Sequence, residues 1–157
     1  MKRDVPPLGF QAHDHSACIA TAMTRAEQAC GERHVRLTPV RRRVLEILLE
    51  NHSALGAYDV LERLASEGLG SKPPVAYRAL NFLVENGLAH RVERLNAYIA
   101  CAYPGGHHDP AFLICRGCGN VAEAEAPAPI ANASGFAVET TVVEAEGLCP
   151  DCQEGAP

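Results

Sequence analysis

No run of about 18 consecutive apolar residues occurs in the chain, so no segment has the length and apolarity of a membrane-spanning helix. The first residues, MKRDVPPLGFQAHDHS, lack the apolar core of a secretion signal, and the expectation is a cytoplasmic protein. A surplus of positive charge is also missing. Lys and Arg number 14 against 19 Asp and Glu, a net charge of −5, which argues against a general, sticky nucleic-acid binder. There are no internal repeats and no long low-complexity tracts. With 47% apolar and 21% charged residues, the composition excludes disorder, collagen and coiled coil. What remains is a folded chain of 157 residues, room for one ordinary domain or two small ones.

The charge is unevenly spread. Residues 1–94 carry 13 Lys and Arg against 11 acids, whereas residues 95–157 carry one Arg against eight acids. Two modules with different tasks are implied, the first suited to phosphate and the second to cations or a second copy of itself. Seven cysteines in a reducing compartment read as metal ligands before disulfides, and the odd number weakens a disulfide framework further.

Residues 1–15 read as a flexible tail, with Pro6, Pro7 and Gly9 and no periodicity. Helical periodicity follows. Ile19, Ala22, Met23 and Ala26 share one face, with Cys30 near it. Thr38 can cap a helix that has Pro39 at its first position and the stripe Val40, Val44, Ile47, Leu48. Ala57, Val60, Leu61, Leu64 and Ala65 form a third stripe. A fourth helix opens at Pro73-Pro74, buries Ala76, Leu80, Leu83 and Val84, and stops at Asn86-Gly87. The period then drops to two: Leu88, His90 and Val92 alternate with polar neighbours, and Ala97, Ile99 and Cys101 return after Asn96. Helices followed by a hairpin give the order of a winged helix-turn-helix over 16–101. Residues 102–110 (AYPGGHHDP) read as a hinge. A small α/β domain then spans 111–152, with strands near 111–115 and 120–125, a short helix over 128–134 and a strand from Phe136 to Ala145, and residues 153–157 form a tail. The fold class is α+β.

Cys115-x-x-Cys118 and Cys149-x-x-Cys152 carry the clearest chemistry. Two intervening residues let both thiolates of a pair face one ion on a tight turn, and two such turns complete the tetrahedron of a closed zinc site. The 30 residues between the pairs exceed a zinc ribbon's spacing and leave room for the helix and strand just described. Two disulfides or inert core cysteines are the alternatives. Closed sites of four thiolates stabilise folds rather than catalyse, so this zinc is architectural.

Other ligand types gather around the hinge: His90, Cys101, His107, His108 and Glu123. A two-residue turn at Leu95-Asn96 would set His90 opposite Cys101, close enough to share an ion. The plainer alternative is a buried histidine bonded to backbone beside a core cysteine. One thiolate among imidazoles and a carboxylate suits Zn(II), whereas Mn(II) or non-haem Fe(II) sites are more often all nitrogen and oxygen. His13-x-His15-x-x-Cys18 in the tail offers an auxiliary set of zinc ligand types without an evident scaffold.

These residues carry a resemblance. Val35-Arg36-Leu37-Thr38-Pro39, Gly56-Ala57-Tyr58-Asp59, Lys72-Pro73-Pro74 with Tyr77-Arg78-Ala79-Leu80, Leu88-Ala89-His90, Asn96-Ala97-Tyr98 leading to Cys101, and Gly147-Leu148-Cys149 together resemble the ferric uptake regulator superfamily, most closely its zinc uptake branch. The resemblance runs from about Ala26 to Cys152. It implies a homodimeric repressor of zinc uptake genes that binds palindromic double-stranded operator DNA, with no small-molecule substrate and no enzymatic activity. It implies two zinc ions per protomer: a structural one at Cys115, Cys118, Cys149 and Cys152, and a regulatory one at His90, Cys101, His108 and Glu123. It matches Tyr58 and Arg78 to base contacts and Tyr77 to phosphate. Arg36, Arg91, Arg94 and the run Arg41 to Arg43 are further phosphate candidates. The chain departs from the family pattern at Val75-Ala76, where Thr-Val is usual, and at Val40, where Gln is usual. The competing readings are an iron, manganese or peroxide sensor of the same superfamily, a zinc hydrolase built on the second ligand set, and a zinc-binding protein without DNA binding.

Overall fold

The computed structural model describes residue 10 and residues 14–105, 108–127 and 135–155. The chain divides into two compact units, one of Gln11–Gly106 and one of Met1–Phe10 with His107–Pro157. Among the described residues, no helix is long and apolar enough to cross a membrane.

The described residues of the first unit form four α-helices: α1 (His15–Glu32), α2 (Pro39–Leu49), α3 (Ala57–Ser66) and α4 (Pro73–Glu85). Each start has a local cause. The Asp14 side chain accepts the amide of Ala17 at 3.2 Å, and that of Thr38 accepts the amide of Arg41 at 3.5 Å, with Pro39 following as a residue already bent for a helix. At α3 the Gly56 amide donates to the Asp59 carboxylate at 3.0 Å. At α4 the two prolines sit where no amide is needed, and Gly87, with φ of +69°, turns the chain out at the other end. The apolar stripes converge: Val44, Ile47, Leu48, Val60, Leu64, Leu80, Leu83 and Leu88 are fully buried in one core. Ala29 and Cys30 extend it along α1. Ala79 is buried where Val84 was expected, and Val84 remains 37% exposed, because the buried face of α4 follows Ala76, Ala79, Leu80 and Leu83.

The hairpin pairs β1 (Ala89–Val92) with β2 (Ala97–Ala100), and Leu55 bridges Tyr98 as a third short rung. Its turn is longer than expected. Glu93–Leu95 wind one 3₁₀ turn and Asn96 takes a left-handed conformation at φ 46°, so four residues connect the strands instead of two. His90 therefore pairs with Ile99, and the amide of Cys101 donates to the carbonyl of Leu88. The expected His90–Cys101 register is corrected by two positions.

The second unit holds a three-stranded sheet in the order β4-β3-β5, from β3 (Pro110–Cys115), β4 (Val121–Glu125) and β5 (Val143–Gly147), followed by α5 (Pro150–Glu154). β4 runs antiparallel and β5 parallel to β3. The strand expected from Phe136 begins only at Val143. Phe136 and Val142 are 69% and 55% exposed, so the segment before β5 has no buried face to fix it as a strand. The helix expected over 128–134 lies outside the described residues.

Candidate metal centres and nucleic-acid surface

The four cysteines meet at the ends of strands. Cys115 closes β3, Cys118 follows in the turn to β4, and Cys149 and Cys152 flank the start of α5. The parallel register that sets Cys115 beside Gly147 delivers the second pair to the first. All four sulfurs lie within 4.8 Å of one another. The turn is tightly built: the Gly119 amide donates to the Cys115 carbonyl, and Gly119 has φ of +79°, which a side chain would resist. Gly117 is required for space, since a Cβ there would stand 3.0 Å from Cys152 Sγ and 3.3 Å from a methyl of Leu148.

The electrostatics suit a cation. The amide of Cys149 donates to Cys115 Sγ at 3.3 Å, and with the amides of Cys118 and Gly117 it holds that thiol down at about 6. Cys152 is pushed up to about 12, first by the sulfur of Cys149 and then by that of Cys115, which favour its keeping the proton. Four sulfurs this close cannot all ionise without a compensating positive charge. Four soft donors of this kind, one already a thiolate at neutral pH, fit Zn(II).

The second ligand set is found as two pairs. On the hairpin, the donor atoms of His90 and Cys101 lie within 4.8 Å of each other, Cys101 being two residues beyond the partner of His90 on the same strand face. Cys101 is 3% exposed, and its sulfur accepts the amide of Tyr103 at 3.4 Å. Tyr103 begins a turn ending at Gly105, where φ is +85° and a Cβ would stand 3.3 Å from that of Ala29. In the second unit, His108 Nε2 lies 2.5 Å from Glu123 Oε1, and the Glu123 side chain is only 2% exposed. Glu123 stands on β4 opposite Phe112. A buried carboxylate on an imidazole is a hydrogen-bonded donor pair that suits a metal as well as a proton. His107 lies outside the described residues.

The residues expected at DNA are on the surface of the first unit. Tyr58, in the first turn of α3, is 68% exposed and Tyr77, in the first turns of α4, is 41% exposed. Arg78 and Arg36 are exposed as well. The departures from the family pattern have packing causes. Val40 and Val75 both pack against the core, and Val75 closes over Gly70, where a Cβ would meet it at 2.8 Å. The run Arg41 to Arg43 is largely engaged within the protein. Arg41 stacks 3.7 Å above the Phe82 ring and donates to the carbonyl of Arg36. Arg42 pairs with Glu27, and Arg43 bonds Glu46, Glu50 and Glu67, which hold its guanidinium firmly charged. Arg91 on the wing donates to Asn96 Oδ1 at 2.8 Å.

In the auxiliary set, His13 lies outside the described residues. His15 and Cys18 stand on α1, and His15 meets His52, which sequence reasoning missed, with ring centres 4.8 Å apart. His52 follows α2 in an irregular segment, where no periodicity marks its direction.

Comparisons with known proteins agree with this architecture. The profile of the ferric uptake regulator family matches residues 32–144. The zinc uptake regulation protein of Escherichia coli K12 is 40% identical over 139 residues, covering 84% of this chain and 81% of its own. A solved structure of a zinc uptake regulator complexed with zinc and DNA is 36% identical, with a TM-score of 0.77 over 87% of this chain and 96% of that one. Holo XcZur is 32% identical, with a TM-score of 0.71 over 90% and 99%.

Proposed function

The chain belongs to the ferric uptake regulator family, and from that premise we propose that it is a zinc-responsive, sequence-specific DNA-binding repressor of zinc uptake genes, acting in the cytoplasm as a homodimer on palindromic operators. The observation that carries this reading is the likeness to a regulator solved with both zinc and DNA. The chain's own residues support it. Tyr58, Tyr77 and Arg78 are exposed in the first turns of α3 and α4, the helices of a winged helix-turn-helix that meet DNA. Arg78 suits bidentate contact with guanine, and Tyr77 and Arg36 suit phosphate. Among the described residues β5 stands at one edge of its sheet, and such an edge offers backbone groups to a second copy.

Two zinc ions per protomer are expected. Cys115, Cys118, Cys149 and Cys152 would hold the structural one. The regulatory one falls to His90 and Cys101 from the hairpin and His108 and Glu123 from the second unit, across the hinge assigned to residues 102–110. When bound, that ion supplies a cross-link that narrows the orientations open to the two units. Repression then follows from population: the dimer spends more time in the arrangement that fits both half-sites. Cys101 favours Zn(II) over iron or manganese within the family, because a buried thiol with an amide on its sulfur is a soft donor. The protein is a regulator, as its family is, and nothing in this assignment calls for catalysis.

The test is operator binding, read by fluorescence anisotropy, against buffered free Zn(II), with Fe(II) and Mn(II) in parallel on the same zinc-importer promoter. The expected result is binding switched on by Zn(II) alone. Equal response to Fe(II) or Mn(II) would overturn zinc as the signal, and no binding under any metal would overturn the DNA-binding reading for that promoter.

A further inference from the structure

Arg41 stands in the first turn of α2 and reaches two other elements of the first unit. Its Nη1 donates to the carbonyl oxygen of Arg36 at 2.8 Å, and its own amide donates to Thr38 Oγ1 at 3.5 Å. The Arg36 carbonyl also accepts the Thr38 amide at 3.2 Å, so the segment that leads into α2 is closed on Arg41 from both ends. The Arg41 guanidinium lies 3.7 Å from the centre of the Phe82 ring, on α4. Both side chains are half-buried, and a cation on an aromatic face is held more firmly when water is partly excluded. A planar guanidinium stacks by its face while it donates from its edge, which an ammonium cannot do. Arg42 and Arg43, by contrast, are held by glutamates.

The two elements joined in this way carry different candidate contacts with DNA. Arg36, exposed in the segment before α2, suits phosphate. Arg78, exposed on α4, suits a base edge. Phe82 follows Arg78 by four residues, one helical turn along the same face. A helical side chain leans toward the start of its helix, so the Phe82 ring covers the turn that bears Arg78. Phosphate contacts set the register in which a base contact is made, and they do so only if the two are rigidly spaced. We propose that Arg41 is a positioning residue for operator recognition: stacked on Phe82 and bonded to the Arg36 carbonyl, it fixes the phosphate contact of Arg36 relative to the base contact of Arg78. The proposal rests on the operator-binding function given above. It moves Arg41 from the phosphate candidates to the scaffold that spaces them.

The test is a double-mutant cycle on operator affinity, read by anisotropy with the zinc-loaded full chain. Arg41→Lys keeps the charge and loses the stack, so a contact by charge alone would survive it. It is expected to weaken binding about 5-fold or more, within the range of coupling between residues in contact. It is also expected to relax preference at the base position read by Arg78. Arg36→Ala should cost at least about 3-fold less in the Arg41→Lys background than in the wild type, because the clamp that makes Arg36 effective is already gone. Phe82→Leu, which keeps an apolar side chain and removes the ring, should give the same cycle with Arg36→Ala and serves if Arg41→Lys does not fold. In NMR spectra of the wild type without DNA, the side-chain protons of Arg41 are expected to be shifted upfield by the ring and to lose that shift in Phe82→Leu. Additive losses in both cycles would overturn the proposal, as would wild-type base preference in Arg41→Lys or unshifted Arg41 protons in the wild type. A wild type that binds no operator with zinc would instead strike the repressor function itself, an outcome distinct from an additive cycle in a protein that binds.

Discussion

Cys101 lies diagonally across the hairpin from His90, two residues beyond Ile99, which His90 directly faces. The four-residue turn creates that offset, and the pleat then returns both side chains to one face. Replacing Cys101 with serine removes the soft donor and leaves an oxygen as the acceptor of the Tyr103 amide. Cys101→Ser is expected to keep one zinc per protomer, at the four-cysteine centre. At zinc levels that saturate the wild type its operator affinity should fall by about 10-fold or more, of the order that loss of one ligand costs a metal site. Zinc-dependent anisotropy beside metal counting tests this, and unchanged zinc dependence would remove Cys101 from the regulatory site.

Gly117→Ala would place a methyl 3.0 Å from Cys152 Sγ. Overpacking of this kind costs roughly 1–3 kcal/mol. The structural zinc is expected to pass to a competing chelator about 10- to 100-fold more readily, as equilibrium competition would show. Gly147→Ala, where a Cβ meets nothing within 4 Å, should leave it almost unchanged.

Arg78→Ala is expected to weaken operator binding by about 1–3 kcal/mol and to relax preference at one base position per half-site. Arg36→Ala should weaken binding evenly across sequences and lower its salt dependence. Binding measured on a set of single-base operator variants at two salt concentrations distinguishes the two. An Arg78→Ala variant with unaltered base preference would exclude base reading by that residue.

The Arg43 guanidinium donates to both oxygens of Glu67, at 2.7 and 2.8 Å, and so lowers the Glu67 carboxyl from its ordinary 4.5. A carboxyl lowered by folding adds stability above its unfolded value and loses it as pH falls through the folded value. The wild type should therefore exceed Glu67→Gln in melting temperature at pH 7. The margin should shrink below about pH 4.5 and diminish with added salt, because the pair is partly open to solvent. Thermal melts of both proteins across pH 3 to 7 would check the sign. A margin that widened in acid would contradict the pairing.

Much of this was legible in the sequence for physical reasons. Helix starts were written in Thr38-Pro39 and Pro73-Pro74, and the core in the stripes of α2, α3 and α4. The four-cysteine centre was written in spacing alone. The hairpin register was not, because turn length depends on whether Glu93–Leu95 wind a 3₁₀ turn, which three residues of ordinary type do not announce. The strand before Val143 was overestimated because β-branched residues at 138–143 imitate a buried strand, although most of that segment is exposed. The engagement of Arg42 and Arg43 with glutamates depends on side chains brought from α1 and α3, a tertiary fact hidden from a linear reading. His52 was missed for the same reason.

The two cysteine pairs leave the ribosome 30 residues apart, and the strand that carries the second pair to the first is parallel to it. Parallel partners cannot form by a simple hairpin fold-back, so their meeting waits on a long loop closing, a slow step with an entropic cost. An ion captured by Cys115 and Cys118 would wait at the end of β3 as a receptor for Cys149 and Cys152. In a cell starved of zinc, newly made chains would then stall with β5 unpaired and their thiols exposed to oxidation. Supply of the metal would thus govern how much regulator matures, in addition to how much of it is switched on.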